Sequence, residues 1–288
     1  MVLNSVLRAE AISVIAGGKG INVARAVKRL GGRAKALGVI GGDTGLLIAD
    51  KVKAEGIDFK YVCTNGESRN CYGLIDRSSG VETIINEYGP TLGEKEINDF
   101  IDLYEAEVLD GDIVVLSGSV AKGFNVYIYN KLMEIAKTKA AVVILDASGL
   151  LLANAINESP LMLKVNHREF ESLVGKKIDV QKELINEIEY ISKKYSCAVI
   201  VTNGKADVTA LVDGVIWEVT PPLVKSVNSW GSGDCFLAAI AYGYEHAKPV
   251  DHTLRLAVAT GAANTLSYGA ACFSVDMVYE FYEKIKEK

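Results

Sequence analysis

The sequence predicts an α/β fold with a mostly parallel central sheet flanked by helices, and three observations carry that expectation. Short apolar runs alternate with amphipathic stretches along most of the chain, as they do where each strand is followed by a covering helix. The 288 residues suffice for one large α/β domain or two small ones. There are no repeats, low-complexity tracts or linker-like stretches, so a single domain over 1–288 is expected.

The buried-strand candidates, in order, are Ala36–Ile40, Ile113–Leu116, Ala141–Leu145, Leu161–Val165 and Cys197–Val201. Helical stretches such as Ile21–Leu30, Thr44–Glu55, Glu94–Leu109 and Val126–Thr138 separate them. In the first, Val23, Ala26, Val27 and Leu30 share one face, and Gly31-Gly32 ends the helix. Val208–Val212 and Val215–Val219 flank Asp213-Gly214, the pattern of an antiparallel hairpin. Helices over Ser232–His246 and Asp251–Ser267 close the domain. One region breaks the alternation: Phe59–Val62, Asn70–Asp76 and Val81–Ile85 read as strands with no helix between them. With Val6–Ile15 they predict a small β flap, segments 5–15 and 59–87, beside the main sheet.

Bulk composition narrows the function classes. Hydrophobic residues make up 49% and charged residues 23%, as in ordinary globular enzymes. The net charge is −5 with no Lys/Arg block, which argues against nucleic acid or an anionic membrane as a partner. No apolar run has the length of a membrane span and no segment reads as a signal peptide. Cysteines at 63, 71, 197, 235 and 272 are odd in number and lack zinc spacing, which predicts a reducing cytoplasm.

Two glycine-rich segments carry chemistry. Gly231-Ser232-Gly233-Asp234 lies between a loop and a strongly helical stretch. Backbone amides there can approach an anion, the helix start adds about half a positive charge, and a carboxylate can act as a base nearby. A plain turn with Asp234 as a first-turn acid accounts for the same residues. Gly17-Gly18-Lys19-Gly20-Ile21-Asn22 also precedes a helix, and its amides, lysine and amide side chain can converge on a sugar. A tight turn with a helix cap is the alternative, although such a turn does not need Lys19. No G-x-x-x-x-G-K-[ST] occurs, and no G-x-G-x-x-G follows a strand, so a Walker-type loop is excluded and dinucleotide oxidoreduction loses its main support.

Gly17-Gly18-Lys19-Gly20-Ile21-Asn22-Val23-Ala24 resembles the N-terminal signature of the phosphofructokinase-B carbohydrate kinases, which are ribokinase-like. Asn228-Ser229-Trp230-Gly231-Ser232-Gly233-Asp234-Cys235-Phe236 resembles their C-terminal signature, with Ser232 where alanine is commoner. Leu116-Ser117-Gly118-Ser119, Leu145-Asp146-Ala147-Ser148-Gly149 and Lys164-Val165-Asn166-His167-Arg168-Glu169 match between them in order, without the usual proline at Val165. The branch most resembled comprises 1-phosphofructokinase and tagatose-6-phosphate kinase, and Glu67-Ser68-Arg69-Asn70-Cys71 leans towards the latter.

The resemblance implies an enzyme that uses ATP and Mg²⁺ to phosphorylate a ketohexose phosphate, fructose 1-phosphate or tagatose 6-phosphate, to a 1,6-bisphosphate. Asp234 would be the base, with Gly231, Ser232 and Gly233 supplying the anion cradle. Gly17, Gly18, Lys19, Asn22 and Ser119 would contact the substrate, and Arg69 and Arg8 its existing phosphate. On their own, the two arginines read as solvated surface charges. Asn166 and Glu169 would organise magnesium and phosphates, although Asn followed three residues later by Glu is also a helix-capping pattern. Thr202, Asn203 and Gly204 would meet ATP phosphates and Asn264 would flank adenine. The lid would serve a homodimer.

One departure bears on all of this. By comparison with the family pattern, a first strand and its sugar-gripping aspartate, about 25 residues, are expected before Arg8 and are not seen. Two other functions therefore stay open: a ribokinase-like kinase of an unphosphorylated sugar or nucleoside, and a sugar-phosphate-binding protein with little turnover.

Overall fold

The computed structural model describes residues 6, 8–76, 79 and 81–285. Its largest sheet follows from the apolar runs. β5 (Ile113–Ser117), β6 (Val142–Asp146), β7 (Met162–Asn166) and β8 (Ala198–Asn203) lie side by side and parallel. β9 (Ala206–Val212) and β10 (Val215–Val219) extend this sheet antiparallel. The hairpin turn between them has Asp213 at φ 52° and Gly214 at φ 77°, the two left-handed residues that a type I′ turn demands.

The period of two in the strands sorts their side chains between two cores. Val143, Leu145, Leu163, Val165, Val199 and Val201 enter one, covered by α3 (Glu94–Glu107), α4 (Ile128–Thr138), α5 (Gly149–Ala155), α6 (His167–Val174) and α7 (Gln181–Tyr195). Ile144, Met162 and Ile200 enter the other, beneath α1 (Lys19–Arg29), α8 (Ser232–Glu245), α9 (Val250–Asn264) and α10 (Val275–Lys284). α8 is apolar around its circumference, with Cys235–Ala241 buried throughout, so it forms the centre of its layer rather than a surface helix.

β1 (Lys35–Gly41) and β2 (Asp58–Thr64), joined by α2 (Gly42–Ala54), form a separate parallel pair. This corrects the flap expected over 59–87: the strand at 59–62 belongs beside β1. Its apolar residues Phe59 and Val62 suit either place, and the intervening helix that marks a parallel crossover comes before it in the sequence. Only β3 (Cys71–Asp76) and β4 (Val81–Asn86) make the antiparallel ribbon. Residues 5 and 7 lie outside the described residues, and the described part of 6–15 forms no strand.

β1 and β5 do not pair. α1 packs against both strands, and between them opens a cleft of about 2690 Å³ lined by Leu37, Val39, Val115 and Leu116. Every residue of β5 except Leu116 is only half-buried, although Ile-Val-Val-Leu is the composition of a central strand. The cleft sets up a matched comparison. Val143→Ala, in the closed core, is expected to cost about 2 kcal/mol from lost burial and the cavity left behind. Val115→Ala, facing the cleft, should cost about half that or less in urea denaturation. Equal losses would show that the cleft is filled in solution.

Candidate active site

The carboxyl ends of parallel strands open onto a crevice where α/β proteins bind ligands, because loops and helix starts converge there. Here that crevice gathers both glycine-rich segments. Gly231 sits at φ 74°, and a Cβ on it would lie 2.5 Å from the Ala270 Cβ, so only glycine fits the turn. The turn starts α8, whose first-turn amides have no carbonyl within the helix to bond. Asp234 occupies that first turn and is 5% exposed.

From the opposite side α1 begins after Gly18, at φ 114°. Asn22 donates from Nδ2 to Asp234 Oδ2 at 2.8 Å. Arg25, one turn on and buried, holds Asn22 Oδ1 at 3.2 Å and the Ala16 carbonyl at 2.7 Å, with Glu55 as its counter-charge. Lys19 reaches Asp146 Oδ2 at 3.3 Å, and Lys164 reaches the same oxygen at 3.6 Å. Burial raises the Asp234 pKa, and the nearby Asp146 charge adds to it; the Asn22 hydrogen bond, Lys19 and Lys164 pull the other way without cancelling it. Burial works to lower the Lys19 pKa, but Asp146 and Asp234 outweigh it and hold the ammonium above its ordinary value.

The other expected residues fall in three groups. Gly17, Gly18, Lys19, Asn22, Arg8, Arg69 and Ser119 all line the one cleft. Ser68, buried, exchanges hydrogen bonds with Gly41 in both directions, which fixes the exposed Arg69 beside the end of β1. Asn166 and Glu169 make a reciprocal capping box at the start of α6, with bonds of 3.0 and 2.8 Å, so the capping alternative is realised. Glu169 nevertheless lies near enough to act on the Lys19 charge. Asn166 is the register partner of Thr202, and Asn203 and Gly204 follow it as exposed residues at the end of β8.

Asn264 lies at the end of α9. It is fully buried, donates to the Trp230 carbonyl at 2.7 Å and to Ser232 Oγ at 3.1 Å, and accepts from the Ala271 amide at 2.8 Å. Its polar atoms brace the Gly231–Asp234 turn and the segment at Ala271.

Four contributors were not assigned roles from sequence. A lysine inside the apolar run Leu161–Val165 and an aspartate closing Val142–Leu145 are charges at the ends of buried strands, and that was the available signal for Lys164 and Asp146. Arg25 reads as an ordinary helix cation. Trp230 packs against Gly73 of the ribbon, where a Cβ would collide with the indole, while Ser229 Oγ donates to Glu82 Oε2 at 3.0 Å. The ribbon therefore rests directly on the loop that leads into the base.

Residues 2–276 match the pfkB family of carbohydrate kinases. This chain belongs to that family. The kinase is 31% identical over 295 residues to tagatose-6-phosphate kinase of Staphylococcus epidermidis, covering 99% of this chain and 92% of that protein. It is 32% identical over 251 residues to 1-phosphofructokinase of Bacillus subtilis, covering 87% and 82%. Among solved structures, phosphofructokinase-2 from Escherichia coli in complex with substrates and products superposes at TM-score 0.94, with 26% identity over 99% of this chain and 92% of that one. A carbohydrate kinase uses ATP as phosphoryl donor, and the ribokinase-like fold agrees with these likenesses.

Asp234→Asn keeps the shape and the Asn22 hydrogen bond but cannot accept a proton. The variant is expected to fold and bind ATP normally and to lose at least ~10²-fold in kcat. If Asp234 is the base it must be ionised, so activity should fall as pH drops through a pKa above the ordinary aspartate range. Steady-state rates across pH check both, and near-normal turnover by the variant would remove Asp234 from the chemistry.

Proposed function

We propose that the kinase transfers the γ-phosphoryl group of ATP to the free primary hydroxyl of a ketohexose phosphate, fructose 1-phosphate or tagatose 6-phosphate, giving a 1,6-bisphosphate. The observation that carries the reading is a buried aspartate, held by Asn22 at an amide-rich helix start, beside a cleft that also holds Lys19, Arg8 and Arg69. Asp234 takes the hydroxyl proton as the oxygen attacks phosphorus. The amides of residues 231–234 and the Lys19 ammonium receive the negative charge on the phosphoryl group in flight. Arg69 and Arg8 hold the phosphate already on the sugar, and Ser119, Gly17 and Gly18 line the sugar between them. Both substrates carry a phosphate at one end and a primary hydroxyl at the other, so one geometry serves either.

Thr202, Asn203 and Gly204 would meet the ATP phosphates. Magnesium suits the donors present. It takes one or two carboxylates plus nucleotide oxygens, and no group of three or more His, Cys, Asp or Glu residues could hold a metal among the described residues. Asn166 and Glu169 would hold the ion, which when bound supplies charge neutralisation on the β- and γ-phosphates.

The exposed apolar side chains of the ribbon, Tyr72, Leu74, Ile84 and Ile85, support a homodimer through the lid. A related phosphofructokinase-2 is known in a tetrameric inhibited form. No helix among the described residues is long and apolar enough to cross a membrane. The five free cysteines support a reducing, cytoplasmic setting.

The same reading assigns the space between β1 and β5 to one more strand, which would bond both free edges and close the two half-cores. A short apolar strand-forming peptide supplied in trans is expected to raise Tm by at least about 3 °C and to raise turnover. No change in either would contradict the strand assignment.

The substrate is tested by ADP release over a panel of free and phosphorylated sugars, with Arg69→Ala alongside the wild type. Losing a charge-assisted phosphate bond should lower kcat/KM for the phosphorylated substrates about 10- to 150-fold and leave free sugars nearly unchanged. Equal losses would favour a kinase of unphosphorylated sugars, and no ADP release from any sugar would favour a binding protein.

A further inference from the structure

The site contains a charge arrangement that neither the base nor the sugar contacts require. Asp146 has no solvent exposure, and its Oδ2 accepts a hydrogen bond from Lys19 of α1 at 3.3 Å and pairs ionically with Lys164 of β7 at 3.6 Å. Its other oxygen, Oδ1, is buried without a hydrogen-bond partner. Lys164 is itself 4% exposed, and its Nζ lies 3.1 Å from where a Cβ on Gly233 would stand, so the ammonium rests against the anion-binding turn. A buried lysine–aspartate pair is often no more stabilising than apolar residues of similar volume, so stability alone does not account for it.

We propose that Asp146 is a positioning residue that holds Lys19 and Lys164 against the Gly231–Asp234 turn, so that the phosphoryl group in transfer meets two ammonium groups already in place. The physical advantage is preorganisation. Two long flexible cations would otherwise have to be ordered, and drawn together against their repulsion, when the phosphate arrives. A carboxylate between them removes the repulsion beforehand. Sharing one oxygen between two cations leaves each only partly neutralised and open to the incoming phosphate.

This inference rests on the kinase reading, and its test separates the two. The wild type is assayed first; failure to turn over any sugar or sugar phosphate would refute the kinase reading itself. With turnover established, Asp146→Asn is expected to lower kcat about 10- to 100-fold with less than about a threefold change in sugar KM. Lys164→Met should give a loss of similar size. The double variant, which removes both charges and avoids stranding a buried lysine, should be no worse than the poorer single, because the two act as one unit.

The groups that act on Asp234 are Lys19, Lys164, Asp146 and the neutral Asn22. Removing the Asp146 charge should therefore move the acid limb of kcat/KM to lower pH, and removing Lys164 should move it to higher pH. Carbon-13 NMR titration of the Asp234 carboxyl in the resting protein reads the same shifts without turnover. Additive losses together with an unmoved Asp234 titration would show that the cluster only supports the fold, and would overturn the proposal.

Discussion

The hydrogen bond from Asn22 to Asp234 joins segments 212 residues apart and fixes the relation on which the site depends. One partner begins α1, the helix that bridges the two sheets; the other begins α8, the centre of the layer packed on the larger one. A side chain in the first turn of each helix makes the contact, so the geometry is set by helix starts and not by mobile loops. Arg25 and Asn264 do the same work one step back. Each is buried: Arg25 bonds Asn22, the Ala16 carbonyl and Glu55, and Asn264 bonds the Trp230 carbonyl, the Ala271 amide and Ser232 Oγ. A carboxylate held this way, acting as the proposed base, would cost no reorganisation when the phosphoryl group moves, which is where catalytic electrostatics gains most.

Much of this was legible in the residues. The parallel strands announced themselves as apolar runs between helical stretches, and Asp213-Gly214 named its own turn. The glycine segments were legible because a left-handed turn beside Ala270, as at Gly231, leaves glycine no substitute. Depth was harder to read. For Asn264, the sequence period shows which helix face it occupies and not that it is fully buried against the Gly231–Asp234 turn. The strand at 59–62 has apolar residues that suit a ribbon and a parallel pair equally, and only the hydrogen-bond register with β1 decides. Asp146 and Lys164 belong to strands whose patterns are clear, yet their meeting is a property of the sheet order β6-β7.

The divided sheet and the resting lid have related consequences. β1 carries Gly41, to which Ser68 is bonded, and Arg69 follows directly; any shift of the β1–β2 pair relative to β5 would carry the proposed phosphate-reading arginine with it. The ribbon, in turn, touches Trp230 and Ser229, immediately before the turn that presents Asp234. Substrate held between Arg69 and Asp234, as proposed, would thus bear on both the strand pair and the ribbon.

The central claim is that a phosphoryl group passes to a primary hydroxyl under the control of Asp234. Phosphorus-31 NMR of the protein with ATP and either ketohexose phosphate tests it most directly. The account predicts a second phosphate-monoester resonance, coupled to the protons of a CH₂ group and growing in step with ADP. ADP appearing with free inorganic phosphate, and no new ester, would contradict it.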